Sequence, residues 1–429
     1  MTTLSPSIEK NPDLEYSTEL SGQIFTDIAA LTKDTLGVSR ESYGASETVA
    51  IEYLIGEAKK LGMSVSKDAA ANVIFQIGED SKSCYILTGS HMDSVPQGGN
   101  YDGLAGVVAG FSVLADFIRN GINPAVPLKV IALRGEESAW YGRNYIGAKA
   151  LFGQLKSEDL KAQHRETKGE LSEAMERAGA DVNRIKAGEK LIKSEEVAAF
   201  IELHIEQGPI LVDRNWPAAI VTGIRGNARH LDIKCIGSAG HSGAVPRWLR
   251  KDAVFAGADL ISRMDDHWNT ILQHGGDVVL TSGIFHTDMQ HHAMSRIPGE
   301  LTFSFEARSQ DQATLDALEA LLKSECATIE RERKVNFEFD EVIHSAPAVL
   351  DTEIINQLIS SAVAEGLPGE TIPSGAGHDA SIFANAGVPT GMIFIRNEHG
   401  SHNPDEAMDI KDFMAGVSIL KRFILDFEL

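Results

Sequence analysis

Cysteine is scarce in this chain, with Cys84, Cys235 and Cys326 the only three among 429 residues. Their number is odd, their spacing wide, and no C-x-x-C pair occurs, which excludes a disulfide framework and a cysteine zinc knuckle. A reducing cytoplasm fits that pattern. Long hydrophobic runs are missing too: the longest apolar stretch, 104–119, is interrupted by Asp116 and falls short of a bilayer span. The first twenty residues lack the apolar centre of a signal peptide, so neither secretion nor membrane insertion is expected. Basic residues are also in deficit, 39 against 61 acidic ones, for a net charge of −22. Nucleic acid and anionic membrane surfaces call for clustered cations, so both are poor partners for this protein. No tandem repeat or low-complexity tract interrupts the chain.

What remains is the balance of a globular protein, 43% hydrophobic and 23% charged, in a chain too long for one ordinary core. Helical periodicity over 17–36 and 47–61 alternates with short β-rich runs at 73–77, 84–87, 128–133 and 200–204. Strands separated by helices predict an α/β fold, a mainly parallel sheet with helices on both faces. From about Gly223 the texture changes to a strand at 228–238, a helix at 250–272, strands at 277–284 and 300–307, a helix at 310–331 and a strand at 334–340. That β-α-β-β-α-β order is the ferredoxin-like split unit. Helix and strand then alternate again at 351–365 and 390–395. The expected organisation is one domain from 1–223 and 344–429, with a smaller α+β domain, 224–343, inserted into it.

Chemistry gathers where the apolar runs stop. The stretch from Cys84 ends at His91-x-Asp93 and is followed by Asp102; the run at 128–133 ends in the pair Glu136-Glu137; that at 200–204 ends at His204 and Glu206; and the run at 391–395 leads to His402. In open α/β sheets the ligand site lies beyond the carboxyl ends of the strands, which is where these residues fall. Imidazole and carboxylate donors with no competing cysteine suit zinc and related divalent ions. Five ligands, His91, Asp102, Glu137, His204 and His402, would serve two ions if one carboxylate bridged them. Asp93, two residues beyond His91, faces the same way along an extended segment and can fix the histidine's tautomer. Neighbouring Glu136 and Glu137 cannot both face one metal from a strand, so one ligates and the other is free to act on water.

These motifs resemble the M20 metallopeptidase clan and, within it, the hydantoinase/carbamoylase amidohydrolases: N-carbamoyl-L-amino acid hydrolases, β-ureidopropionases and allantoate amidohydrolases. The resemblance runs from about Gln23 to the carboxyl terminus and rests on GSHMDSVPQGGNYDG, GEES, ELHIEQGP, AGHSGAVP, SGAGHDA and GSHNPDE. It implies that Asp102 bridges two divalent ions, that Glu136 is the general base and that Asp93 orients His91. It further implies that His241, on an inserted lid that also carries a homodimer contact, reaches the scissile carbonyl oxygen, and that Gln207 and Arg308 contact the substrate. His378 and Asp379 are expected near the centre without ligating. In related enzymes a cis peptide often follows the bridging aspartate, here at Asp102–Gly103.

The chain departs from the family in two places. Where relatives carry a segment like N-V-I-P-G, this one reads SRIPG, with Ser295 for the asparagine that helps hold the substrate; Arg296, His291 and His292 stand nearby. Trp140 and Tyr141 follow the glutamate pair, enlarging the wall behind it. The activity the resemblance implies is cleavage of the carbamoyl C–N bond of an N-carbamoyl (ureido) amino acid to amino acid, carbon dioxide and ammonia, with zinc or else manganese, cobalt or nickel. Allantoate or ureidoglycolate hydrolysis is the alternative, and dipeptide or N-acyl amino acid hydrolysis the third.

Overall fold

The computed structural model describes residues 12–78 and 84–429; up to residue 11, the leader reading lies outside them. The described residues fall into two compact units, Gly223–Ala348 and the segments on either side of it.

The first unit is built on an eight-stranded sheet in the order Ser64–Lys67, Val73–Gln76, Leu128–Leu133, Tyr85–His91, Val197–Ile205, Thr390–Ile395, Ala218–Ile224, Thr371–Ser374. Its central pairings are parallel and its flanks antiparallel. The central strands are buried on both faces, which explains why they read as unbroken apolar runs with no alternation. Residues 88–91 continue the strand that the sequence places at 84–87, so His91 is its last residue. The first helix, Pro12–Leu31, starts and stops earlier than the periodicity indicates.

The stretch that excluded a membrane span is the helix Leu104–Asn120, buried from Leu104 to Phe117 among core side chains. No described helix is long and apolar enough to cross a membrane. Between the sheet strands, residues 137–196 add short helices with a separate cluster around Trp140, Tyr141, Ile146 and Leu171. Trp140 is a wall residue of that cluster, its indole N–H donating to the Ser94 carbonyl at 2.7 Å.

The second unit is an antiparallel sheet, Phe285–His286, Glu300–Ser309, Gly226–Ile236, Asn336–Glu338, with the helices Ala253–Gln273 and Gln312–Arg333. Asp252 and Asp311 cap these helices by accepting the Phe255 and Thr314 N–H groups. The unit extends beyond residue 343 because Ile343–Ser345 pair with the long Gly226–Ile236 strand. Where the sequence predicts one strand at 277–284, only Val279–Thr281 is regular, and a separate short pair follows at Phe285–His286.

Candidate metal centre

At the carboxyl ends of the parallel strands, two imidazoles are presented in the same way. His91 Nδ1 lies 3.0 Å from the Asp93 carbonyl oxygen and 3.4 Å from its carboxylate. His204 Nδ1 lies 2.8 Å from the Ile205 carbonyl. A proton held at Nδ1 by those oxygens leaves the lone pair on each Nε2, and that of His204 faces the Gly103 N–H at 3.3 Å. Both Nε2 atoms converge on Asp102 Oδ1, at 3.5 Å from His91 and 3.1 Å from His204. That oxygen is buried and has no hydrogen-bond partner.

The other Asp102 oxygen faces a second set of groups. Oδ2 accepts from Gln207 Nε2 at 2.8 Å and Ser401 Oγ at 2.5 Å, and His402 Nε2 is 3.3 Å away. His402 Nε2 is also 3.1 Å from Glu137 Oε1. Two donor groups result, His91–Asp102–His204 and Asp102–Glu137–His402, each with its atoms within 4.8 Å of one another, and Asp102 belongs to both. A buried carboxylate oxygen with no proton donor, faced by two imidazole nitrogens, fits a divalent cation and little else.

Local backbone makes the approach possible. Gly103 has φ 67°, and a Cβ there would sit 2.4 Å from the His91 ring, so only glycine lets the Leu104–Asn120 helix begin so close. The Asp102–Gly103 peptide is trans, as are all described peptides. His402 itself has φ 60° in the loop that turns it back over the centre.

The two glutamates are aimed by Asp93. Its Oδ1 accepts the Glu136 N–H at 3.0 Å and its Oδ2 the Glu137 N–H at 3.1 Å, while Ser42 Oγ donates at 2.5 Å. Asp93 thus does more than orient His91: it ties the end of one strand to the glutamates after the next. Glu137 joins a donor group and Glu136 joins none. Burial pushes the Glu136 carboxyl well above the usual range, with Glu137 and Asp379 adding to the effect and His91 opposing it. Without an ion, Asp102 and Glu137 hold the His402 imidazolium up to about 11. Burial opposes ionisation of Asp102, but His204, His402 and His91 together hold it well below its usual range.

Other expected residues are less simply placed. Gln207, expected against substrate, spends its amide N–H on Asp102, leaving its buried Oε1 without a partner. His378 packs edge-on to His204 with ring centroids 4.4 Å apart, and Ser374 Oγ lies 2.9 Å from its Nε2. Asp379 is buried with both carboxylate oxygens unpartnered. His241, Ser295 and Arg308 belong to the second unit. There the Ser242 N–H donates to the Ser295 carbonyl at 2.8 Å, which brings His241 and Ser295 onto neighbouring segments. Arg308 lies on the Glu300–Ser309 strand with its Nη2 3.0 Å from Glu306 Oε1.

Three residues near the centre escape the sequence reading. Glu202 forms a further donor group with His204 and His378, and is held by Ser90 Oγ at 2.6 Å and the Ala380 N–H at 2.7 Å. Its position two residues before His204 on a strand puts both on one face, a period that could have flagged it. Ser401 and Glu406 brace Asp102: Glu406 Oε1 accepts the Tyr101 and Asp102 N–H groups at 2.8 and 3.2 Å, and its Oε2 accepts from Ser401 at 2.7 Å. Both lie in GSHNPDE, of which the sequence reading takes only the histidine as a ligand.

Residues 87–426 match Peptidase family M20/M25/M40. The chain is similar to the N-carbamoyl-L-amino acid amidohydrolase of Geobacillus stearothermophilus, 34% identical over 388 residues, which is 90% of this chain and 92% of that protein. It is 31% identical to the ureidoglycolate hydrolase of Arabidopsis thaliana over 389 residues, 89% of this chain and 80% of the other. A hydantoinase/carbamoylase family amidase from Burkholderia ambifaria has a similar crystal structure, with a TM-score of 0.83 at 29% identity, covering 95% of this chain and 96% of that one.

Proposed function

The chain belongs to peptidase family M20/M25/M40, as a C–N bond hydrolase of the hydantoinase/carbamoylase amidohydrolases, and on that premise we propose that it cleaves N-carbamoyl amino acids at two divalent ions bridged by Asp102. The observation that carries the reading is the sharing of Asp102 between two donor groups. His91 and His204 would hold one ion, Glu137 and His402 the other. When bound, such ions acidify water and polarise a carbonyl, and zinc suits the oxygen and nitrogen donors, as do manganese, cobalt and nickel.

Glu136 sits beside Glu137 but outside both donor groups, so its carboxylate remains available to take the proton of the attacking water. Attack at the carbamoyl carbon breaks its bond to the amino-acid nitrogen, and Glu136 returns the proton to that departing nitrogen. The carbamate released decomposes to carbon dioxide and ammonia. His241 donates to the developing oxyanion, Arg308 pairs with the substrate carboxylate as a planar fork, and Ser295 and Gln207 complete the contacts. His378 and Asp379 support the centre from behind the His204 and Glu202 donors. In this reading the second unit acts as a lid and carries the contact of a cytoplasmic homodimer.

The similarity to a ureidoglycolate hydrolase favours a second reading, hydrolysis of ureidoglycolate or allantoate. Ammonia release from N-carbamoyl amino acids, ureidoglycolate, allantoate and dipeptides, using chelated protein reloaded with each metal, ranks these substrates. Turnover of dipeptides alone would contradict the reading.

A further inference from the structure

The segment that departs from the family motif carries an arginine with unusual surroundings. Ile297 keeps the apolar role of its counterpart, 2% exposed and paired with Gly240, while the preceding position holds Arg296 in place of valine. Arg296 is the direct antiparallel partner of His241. Residues opposed in this way project to one face, with Cβ atoms about 4.5–5.5 Å apart, so the Arg296 side chain stands alongside that of His241.

Arg225, Arg229, Arg263 and Arg333 in the same unit are each paired with a carboxylate. Arg296 is exposed and has no ion-pair partner among the described residues. It lines a cavity of about 970 Å³ together with His291 and His292. Of the two acids on that lining, Asp288 is already engaged by His291 Nδ1 at 2.8 Å and by the Gln290 N–H, which leaves Glu300. His292 Nε2 is 2.7 Å from Thr287 Oγ1. An exposed guanidinium with no carboxylate partner is available to an anionic group of a ligand.

We propose that Arg296 reads a second anionic group on the substrate, so that this enzyme prefers N-carbamoyl amino acids with acidic side chains. The inference rests on the function proposed above, because His241 is what brings the substrate to this face. With Arg308 taking the α-carboxylate, Arg296 takes the side-chain carboxylate as a second fork, a site that a valine could not supply. A cation at this place disfavours aliphatic side chains.

The test compares kcat/KM for N-carbamoyl-L-aspartate, N-carbamoyl-L-glutamate and N-carbamoyl-L-alanine in the wild type and in Arg296→Val and Arg296→Lys. A charge-assisted bidentate contact predicts a preference of roughly tenfold or more for an acidic substrate, carried mainly by KM. Arg296→Val should bring the ratio of acidic to neutral substrate to about unity, and Arg296→Lys should restore part of it. Turnover of all three with no acidic preference, or a preference untouched by Arg296→Val, overturns this inference and leaves the carbamoylase reading standing. Turnover of none overturns both.

Discussion

The acids packed around Asp102 and those of the second unit sit in different surroundings, the former mostly buried, the latter half-buried and paired. Around Asp102, burial pushes Glu136, Glu137, Glu202 and Asp379 above the usual carboxylate range, and neighbouring histidines only partly offset it. In the second unit, burial works against Asp259, Asp277, Glu306 and Asp340, yet each is held below that range by arginine or histidine partners. Asp277 takes Arg225 Nε at 2.9 Å and the Gln310 N–H groups, and Asp340 lies 2.9 Å from His230 Nδ1. These four acids of the second unit are therefore all paired. Around Asp102 the carboxyl groups outnumber the cations that could pair with them, an arrangement that a divalent ion would offset.

The comparison can be pressed hardest at Glu136. Glu136→Gln removes the proton carrier while leaving every donor atom of both groups in place. A fall of about 10²–10⁴-fold in kcat with metal content unchanged is expected, and kinetics beside elemental analysis measure both. Loss of an ion in this variant would instead make Glu136 a ligand. Asp93→Ala acts one layer out: it frees the N–H groups of both glutamates and removes the carboxylate 3.4 Å from His91 Nδ1, while the backbone carbonyl at 3.0 Å stays. It should weaken metal binding by about 10–100-fold, read by competition with a chelating dye.

Chelation should loosen only one side of the comparison. A ligand at a hundred times its dissociation constant stabilises the fold by about 2.7 kcal/mol. Removing metal should therefore speed hydrogen exchange in 85–91, 128–137 and 197–207 while the amides of 226–236 and 300–309 keep their rates. Acid should reach both units. A carboxylate whose native pKa is depressed stabilises the fold above its unfolded pKa, and that support is withdrawn as pH falls through the native value. Below about pH 4, exchange should rise in the second unit, where Asp277 and Asp340 lose their partners, and in the first, where Asp93 and Asp102 are depressed too. Arg225→Gln, which removes one of these pairs, is expected to cost about 1 kcal/mol in denaturant unfolding of that unit.

Much of this was readable in the sequence because the first unit is built from strands buried on both faces. Such strands write themselves as apolar runs, and a run that ends in histidine or a carboxylate marks the edge where chemistry can sit. His91, Asp102, Glu136, Glu137, His204 and His402 all announce themselves in this way. Ser401 and Glu406 do not, because their work is to hold Asp102 from a loop that reaches back across the chain, and that contact has no local pattern. Asp93 was legible as a partner of His91 but not as the acceptor for two backbone N–H groups of a distant strand. The same blindness to long-range contacts hid the cluster around Trp140 and Leu171, whose short helices lack the length for a clear period. In the second unit the interruption at Ser282–Ile284 splits one expected strand in two, since Ile284 N–H donates to the Ser304 hydroxyl instead of continuing a regular ladder.

The most direct test is the metal content of Asp102→Ala beside that of His402→Ala and the wild type, measured by elemental analysis after equilibration with zinc and gel filtration. A shared bridge predicts two ions per wild-type chain, one in His402→Ala and none retained in Asp102→Ala, because only Asp102 serves both donor groups. An Asp102→Ala protein that still holds one ion as tightly as the wild type would show that the two groups do not depend on a common carboxylate, and the account of the centre would be wrong.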